Sequence, residues 1–249
     1  MDTETKANLE QLSVATVSMQ LLKRGIRHAA MAGVRPLNAP AKTFVAEAYT
    51  LRNIPMREDL SSPEVLASRD NAQRRAIEEM PAGAALVIDG RGRDDVAVLG
   101  DILIERLKVR GVAAVVSDGG IRDADECLKA DFPIYVAGPA SPASITFHAA
   151  VDLQCPIGCG GVAVIPGDII AGDGDGVIVI PRDLAQEIGR DGLEQERYER
   201  FAKLRVSQGR PVRGVYPPNE ESKAAYAEWL AAGEPGDWAI LNRLNSRSS

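Results

Sequence analysis

The sequence predicts an α/β fold: a layered β/β/α sandwich with a C-terminal helical extension. Three observations predict it. In the first half, short apolar β-branched runs (LVIDG at 86–90, VAAVVS at 112–117, FPIYVAG at 132–138) alternate with helical segments, the pattern of strands crossed over by helices. Each run closes on Gly or runs into Asp-Gly, residues that favour turns. The second half changes to short β-branched runs punctuated by Gly, Pro and Asp, which is hairpin and sandwich patterning.

Element by element, residues 9–24 read as a helix capped by Ser13 or Thr16 and closed by Gly25. Residues 43–52 (TFVAEAYTLR) alternate as a strand, and 62–80 read as a helix that PAGA at 81–84 breaks. A helix inside DVAVLGDILIERLKVRG ends at Gly111, and a short one covers 123–130. Residues 143–181 hold the hairpins; helices follow at about 183–208 and 220–231, with an extended GRPVRGVYPPN between them and a polar tail, NRLNSRSS, expected to be disordered. The expected division is a domain over 1–208 and an extension over 209–249 that packs on it or on a neighbouring subunit.

Composition narrows the function. The 249 residues carry a formal charge of −6, which on average repels a nucleic-acid backbone, and aromatics make up 4%, too few for base-stacking platforms. No apolar run approaches membrane-spanning length. Cys127, Cys155 and Cys159 form no CxxC pair, and the polar start MDTETKANLEQLS is unlike a secretory segment, so a reduced, cytoplasmic protein is expected. Asp168, Asp173 and Asp175 lack the downstream glutamate of a calcium loop and read as hairpin turns. His28 and His148 sit in apolar contexts and read as structural, which leaves no histidine base for a Ser-His or Cys-His mechanism.

Chemistry concentrates in LGDILIERLKVRGVAAVVSDGGIRD, 99–123. Arg122 and Asp123 stand side by side after a Gly-rich turn at the carboxyl end of a strand, where α/β folds place ligands. Alone, the pair would read as a surface ion pair or Asp123 as a helix cap. Gly100 and Asp101 open a helix whose first amides, at Gly100 to Leu103, suit a carboxylate, although Asp101 alone would read as the N-cap. A carboxylate that holds a divalent cation beside a guanidinium that neutralises an oxyanion fits metal-assisted chemistry on a small oxo acid. Lys108 and Lys129 lie in amphipathic helices, not in a Schiff-base position.

Asp101, twenty residues, then Arg122–Asp123 resembles the signature of the RraA-like family, which contains ribonuclease regulators and metal-dependent 4-hydroxy-4-methyl-2-oxoglutarate aldolases. LSVATVSMQLL, FPIYVAG and CGGVAVIPGDIIAGDGDGVIVIP follow in the family's order, so the resemblance spans about residues 10–200. It implies a fold similar to the phosphohistidine swivelling domain, a trimer or hexamer, and sites at subunit interfaces. By matching position, Asp123 would bind Mg²⁺ or Mn²⁺. Arg122 would contact the keto oxygen of a pyruvyl group. The backbone of Gly100, Asp101, Ile102 and Leu103 would take the substrate carboxylate, and Asp101 would orient a metal-bound water. Glu196 or Glu199 of a neighbouring subunit would complete the outer shell of the metal. The chain departs from the pattern at Ser18-Met19-Gln20, where many members carry Ser-Asp or Ser-Asn, and after Gly209, where it is longer. The expected activity is cleavage of a 4-hydroxy-2-oxo acid to pyruvate with oxaloacetate decarboxylation beside it; the alternatives are a lyase on a sugar-derived keto acid and a ribonuclease-binding regulator.

Overall fold

The computed structural model describes residues 1–38, 41–59 and 62–236. The polar tail therefore lies outside the described residues. In chain order the elements are α1 (Thr3–Leu9), α2 (Val14–Lys23), β1 (Arg35–Pro36), β2 (Phe44–Pro55), α3 (Pro63–Ala67), α4 (Ala72–Glu79), β3 (Ala85–Ile88), β4 (Ala97–Leu99), α5 (Asp101–Val109), β5 (Ala114–Ser117), β6 (Gly120–Ile121), α6 (Ala124–Lys129), β7 (Ile134–Val136), β8 (Gly138–Pro139), β9 (His148–Leu153), β10 (Ile157–Cys159), β11 (Val162–Val164), β12 (Ile169–Asp173), β13 (Gly176–Ile180), α7 (Ala185–Ser207) and α8 (Glu220–Ala231). The chain divides into two compact units, Met1–Arg190 and Asp191–Ser249.

The first unit is built on β2. Its neighbours β3, β5 and β7 run parallel in that order, and β12 and β9 pair with it antiparallel. Residues 29–37 then bond to both edges of the sheet. Met31 N–H donates to Val177 O and Leu37 N–H to Ile134 O, so the sheet nearly closes on itself. Side chains alternate across it with period 2. Phe44, Ala46 and Ala48 of β2, Ala85 and Val87 of β3, Ala114 and Val116 of β5 and Tyr135 of β7 share one core inside the curve. Many of these are alanines, and the room they leave is filled by Ile157, Cys159, Val162 and Val164 of the β10–β11 hairpin. The larger Leu86, Ile88, Val115 and Ile134 pack outward against α4, α5 and α6. A third cluster seats α1 and α2 on Ile169, Ala171, Ile178 and Ile180 of β12 and β13.

Several expectations change. The predicted 9–24 helix is the shorter α2, Val14–Lys23, capped by Ser13, whose Oγ accepts from Thr16 N–H; Leu9 ends a separate helix, α1, that Asp2 caps. Helix 62–80 splits because Ser68 and Asn71 leave the helical conformation, Asn71 capping α4 through Arg74 N–H. The later strands do not build a second sheet of a sandwich. β9, β12 and β13 extend the first sheet around β2, and β10–β11 alone of these hairpin strands forms a separate pair. The Asp-Gly turn reading of 164–181 agrees with the geometry. Gly174 and Asp175 link β12 to β13, Asp173 Oδ1 accepts from Asp175 N–H, and its Oδ2 accepts from Val14 N–H at the start of α2. His28 is exposed, contrary to a structural role; His148 is buried, with Nε2 against Gly90 O at 3.1 Å. No described helix is long and apolar enough to cross a membrane.

The second unit, described by itself, packs Phe201 of α7 and Trp229 of α8 together with Tyr198 and Tyr226 as an aromatic cluster. Tyr198 OH donates to Val215 O, tying the segment between the two helices to α7.

Candidate active site

A small parallel sheet of order β4-β6-β8 carries the site. Its strands are two or three residues long, and the reactive residues leave their carboxyl ends: Gly100 follows β4 and Arg122 follows β6. This refines the expectation that the apolar strand 112–116 delivers Arg122. That strand is β5, and the chain must cross to a second sheet first. The crossing needs Gly120. A Cβ there would lie 2.5 Å from Ala140 Cβ and 2.9 Å from Asp94 O, so any side chain would push β6 off its neighbours.

Arg122 N–H donates to Leu99 O (3.0 Å), which fixes Arg122 beside the residue that precedes Gly100. Asp123 sits at the N-cap position of α6, yet its carboxylate makes no capping bond; its backbone is left-handed at φ 54°, ψ 41°. That conformation costs most non-glycine residues about 1–2 kcal/mol, and Asp is among the few that adopt it more readily. The carboxylate lies over Gly100, whose hypothetical Cβ would stand 2.9 Å from Asp123 Oδ2. Below the turn, Cys127 Sγ donates to Arg122 O at 3.3 Å. Burial, with Asp101 and Asp123 nearby, pushes that thiol up to about 11, so it stays protonated.

Helix α5 starts one residue earlier than a cap at Asp101 requires. Gly100 is the N-cap, with no side chain to bond the helix, and Asp101 is the first helical residue. Asp101 Oδ1 accepts from Ile102 N–H at 2.8 Å. The Asp101 amide belongs to the first turn, where no helical carbonyl reaches, and Ile102 is 78% exposed.

These residues share one cleft of about 300 Å³, lined by Leu99 to Leu103, Arg122 and Asp123, with Gln73 and Arg74 of α4 and Ala143 to Ile145 closing it. A second hollow of about 360 Å³ borders the other side of Arg122 and Asp123. Neither side chain of the pair enters an ion pair or hydrogen bond among the described residues, so both stay available to a ligand. Sequence reasoning missed Arg74. Gln73 Nε2 donates to Val98 O (2.8 Å) and holds α4 on β4, and the next residue, Arg74, is half-buried in the cleft wall without an ion pair among the described residues. Only the QRR order hints at it.

No three His, Cys, Asp or Glu converge among the described residues. A hard cation that keeps most of its waters needs only one or two carboxylates, and Asp123, a lone unpaired oxygen donor at a cleft, fits that demand. Glu196 and Glu199 belong to the second unit, on α7; the Glu199 carboxylate accepts from Gln195 Nε2 at 2.9 Å and from Tyr216 OH at 3.0 Å.

A family model described as RraA-like, Aldolase/RraA, matches residues 14–179. A protein of Halalkalibacterium halodurans named "Putative 4-hydroxy-4-methyl-2-oxoglutarate aldolase" is 39% identical over 124 residues, 49% of this chain and 59% of that relative. The chain thus spans about three-fifths of that relative's length. The structure of RraAS2 from Streptomyces coelicolor, described as an unusual member of the RNase ES inhibitor RraA protein family, superposes with a TM-score of 0.73 at 31% identity, covering 82% of this chain and 97% of that one. An uncharacterized protein of Pseudomonas syringae pv. tomato shares the fold at a TM-score of 0.74 and 24% identity, covering 87% of this chain and 98% of that one. The chain belongs to the RraA-like family.

Proposed function

We propose that the protein is a divalent-metal-dependent lyase that cleaves a 4-hydroxy-2-oxo acid, of the 4-hydroxy-4-methyl-2-oxoglutarate class, to pyruvate. One observation carries the reading: a guanidinium and a carboxylate with no partner among the described residues share a cleft with the open Gly100 and Asp101 amides at the start of α5. The Gly100 and Asp101 amides bind the substrate's C1 carboxylate with help from the helix dipole; of the wider set expected from Gly100 to Leu103, Ile102 N–H is taken by Asp101 Oδ1 and Leu103 N–H by Gly100 O. Asp123 holds Mg²⁺ or Mn²⁺, which supplies Lewis-acid polarisation of the 2-keto oxygen. Arg122 donates to that oxygen and stabilises the negative charge it gains as the C3–C4 bond pair moves toward the carbonyl. A contact of this kind contributes about 3–4 kcal/mol to lowering the barrier. The 4-hydroxyl proton goes to Asp101, on the oxygen that Ile102 N–H does not occupy, so that C4 leaves as the carbonyl carbon of the second product; returned to C3 of the enolate, that proton completes pyruvate. Oxaloacetate would lose CO₂ in the same site, because that cleavage puts the same charge on the same oxygen. Arg74, on the cleft wall, receives the distal carboxylate of a dicarboxylic substrate.

Assembly into a trimer or hexamer, with Glu196 or Glu199 of a neighbouring subunit near the metal, belongs to the same proposal. So do cytoplasmic residence and the layered likeness to a phosphohistidine swivelling domain. The likeness to RraAS2 favours ribonuclease regulation as the second reading. Pyruvate release from 4-hydroxy-4-methyl-2-oxoglutarate and from oxaloacetate, with Mg²⁺ or Mn²⁺ and after chelation, separates them. Metal-dependent release that Arg122→Ala abolishes supports the lyase. No turnover of either acid, with inhibition of a ribonuclease, would overturn it, and turnover of sugar acids without pyruvate would move the assignment to a dehydratase.

A further inference from the structure

The second unit contains a built cationic hollow that the lyase reading does not use. Arg205 of α7, Arg210 and Arg213 of the following segment, and Asn219, Glu221 and Ser222 at the start of α8 line a cavity of about 70 Å³. A cavity needs only about 10–15 Å³ by this measure to hold one water, so the hollow has room for a small tetrahedral oxyanion. Arg205 is only 8% exposed, yet its guanidinium has no hydrogen bond or ion pair among the described residues. Its guanidinium lines the hollow, where it stands with two further arginines against one carboxylate, Glu221, 3.9 Å from Arg210 Nη1. The walls are held in place. Asn219 N–H donates to Gly214 O, Gly214 adopts φ +87°, and Tyr198 OH bonds Val215 O. Asn219 Oδ1 caps only Ser222 N–H, so other first-turn amides of this twelve-residue helix remain open.

We propose that this hollow is an anion site for a phosphate-class oxyanion, gripped by Arg205, Arg210 and Arg213 over the N-terminus of α8. Its chemistry serves a free ion or the terminal phosphate of a small monoester equally. The test is isothermal titration of the full-length protein, free of divalent metal, with inorganic phosphate and with glycerol 3-phosphate at constant ionic strength in chloride. Saturable binding is expected. Arg210→Ala and Arg213→Ala, both substitutions outside the packed core, should each weaken it about tenfold or more. Glu221→Gln should tighten it, because it removes the competing carboxylate. Tighter glycerol 3-phosphate would identify a monoester as the ligand, and tighter phosphate the free ion. Absence of saturable binding by either probe, or binding that neither arginine substitution weakens, would overturn the proposal. The readout is binding, so it stands or falls apart from the lyase assay.

Discussion

Gly100→Ala isolates geometry from folding. The Gly100 backbone is extended, φ −134° and ψ 178°, which alanine adopts without strain. Alanine is a poorer N-cap than glycine, so the fold should lose about 1 kcal/mol or less, and Tm should fall by only a few degrees. The new Cβ, however, would stand 2.9 Å from Asp123 Oδ2, whereas ordinary contact begins at 3.4 Å. The carboxylate must therefore retreat by about half an ångström (3.4 − 2.9). Nothing resists the retreat, because the carboxylate makes no capping bond. A displacement of 1 Å at a reacting centre costs on the order of 10²-fold, so half of that predicts a loss of about tenfold in kcat/KM. The assay is steady-state pyruvate release over a Mg²⁺ titration, beside a thermal melt. Unchanged kcat/KM and metal dependence in a folded Gly100→Ala protein would refute the reasoning, since the close approach of Gly100 to Asp123 would then serve no site.

Arg122→Ala should lower kcat by about 10²–10³-fold. It should leave stability within about 0.5 kcal/mol, measured by urea unfolding, because the side chain is exposed and forms no hydrogen bond or ion pair among the described residues. Asp123→Asn should abolish metal-dependent turnover while keeping the fold, because Asn tolerates the left-handed backbone; Asp123→Ala should be less stable than Asp123→Asn by about 1 kcal/mol in the same unfolding measurement. Arg74→Ala should raise KM for dicarboxylic 2-oxo acids without changing kcat, and an equal effect on monocarboxylic acids would remove it from substrate reading. His148 is buried beside Arg91 and held below its ordinary value of 6.5, so the unfolded chain takes up a proton before the folded one does. Its contribution to stability is present above pH 6.5 and is lost as pH falls toward the lowered value, by up to about 1.4 kcal/mol per pH unit; His148→Gln should flatten that part of the pH–stability curve.

Much of the fold is legible in the chain because local signals act alone there. LVIDG, VAAVV and PIYV are apolar enough that only a buried strand can hold them, and Ser13, Gly25 and Gly111 mark helix ends where a cap or a positive φ is needed. The split of 62–80 was not legible. Periodicity across 62–80 hides it, although Ser68, Asp70 and Asn71 favour turns and caps; the break at Ser68 comes from a side chain bonding nearby backbone, at Asp70 N–H. Strands β4, β6 and β8 are too short to show any periodicity, and they exist because they pair with one another.

By itself the sequence determined which residues could do the chemistry. Asp101, Arg122 and Asp123 carry the charges, and the glycines around them permit close approach whatever surrounds them. Only the tertiary structure decided that these groups meet, because pairing between β4 and β6 brings residue 100 beside residue 123. It also decided that Asp123 would forgo capping α6, and that Arg74, from a helix packed across the cleft, would face the same space. Proximity across a sheet depends on register and on the packing of distant segments, and neither leaves a periodic trace in the neighbouring amino acids.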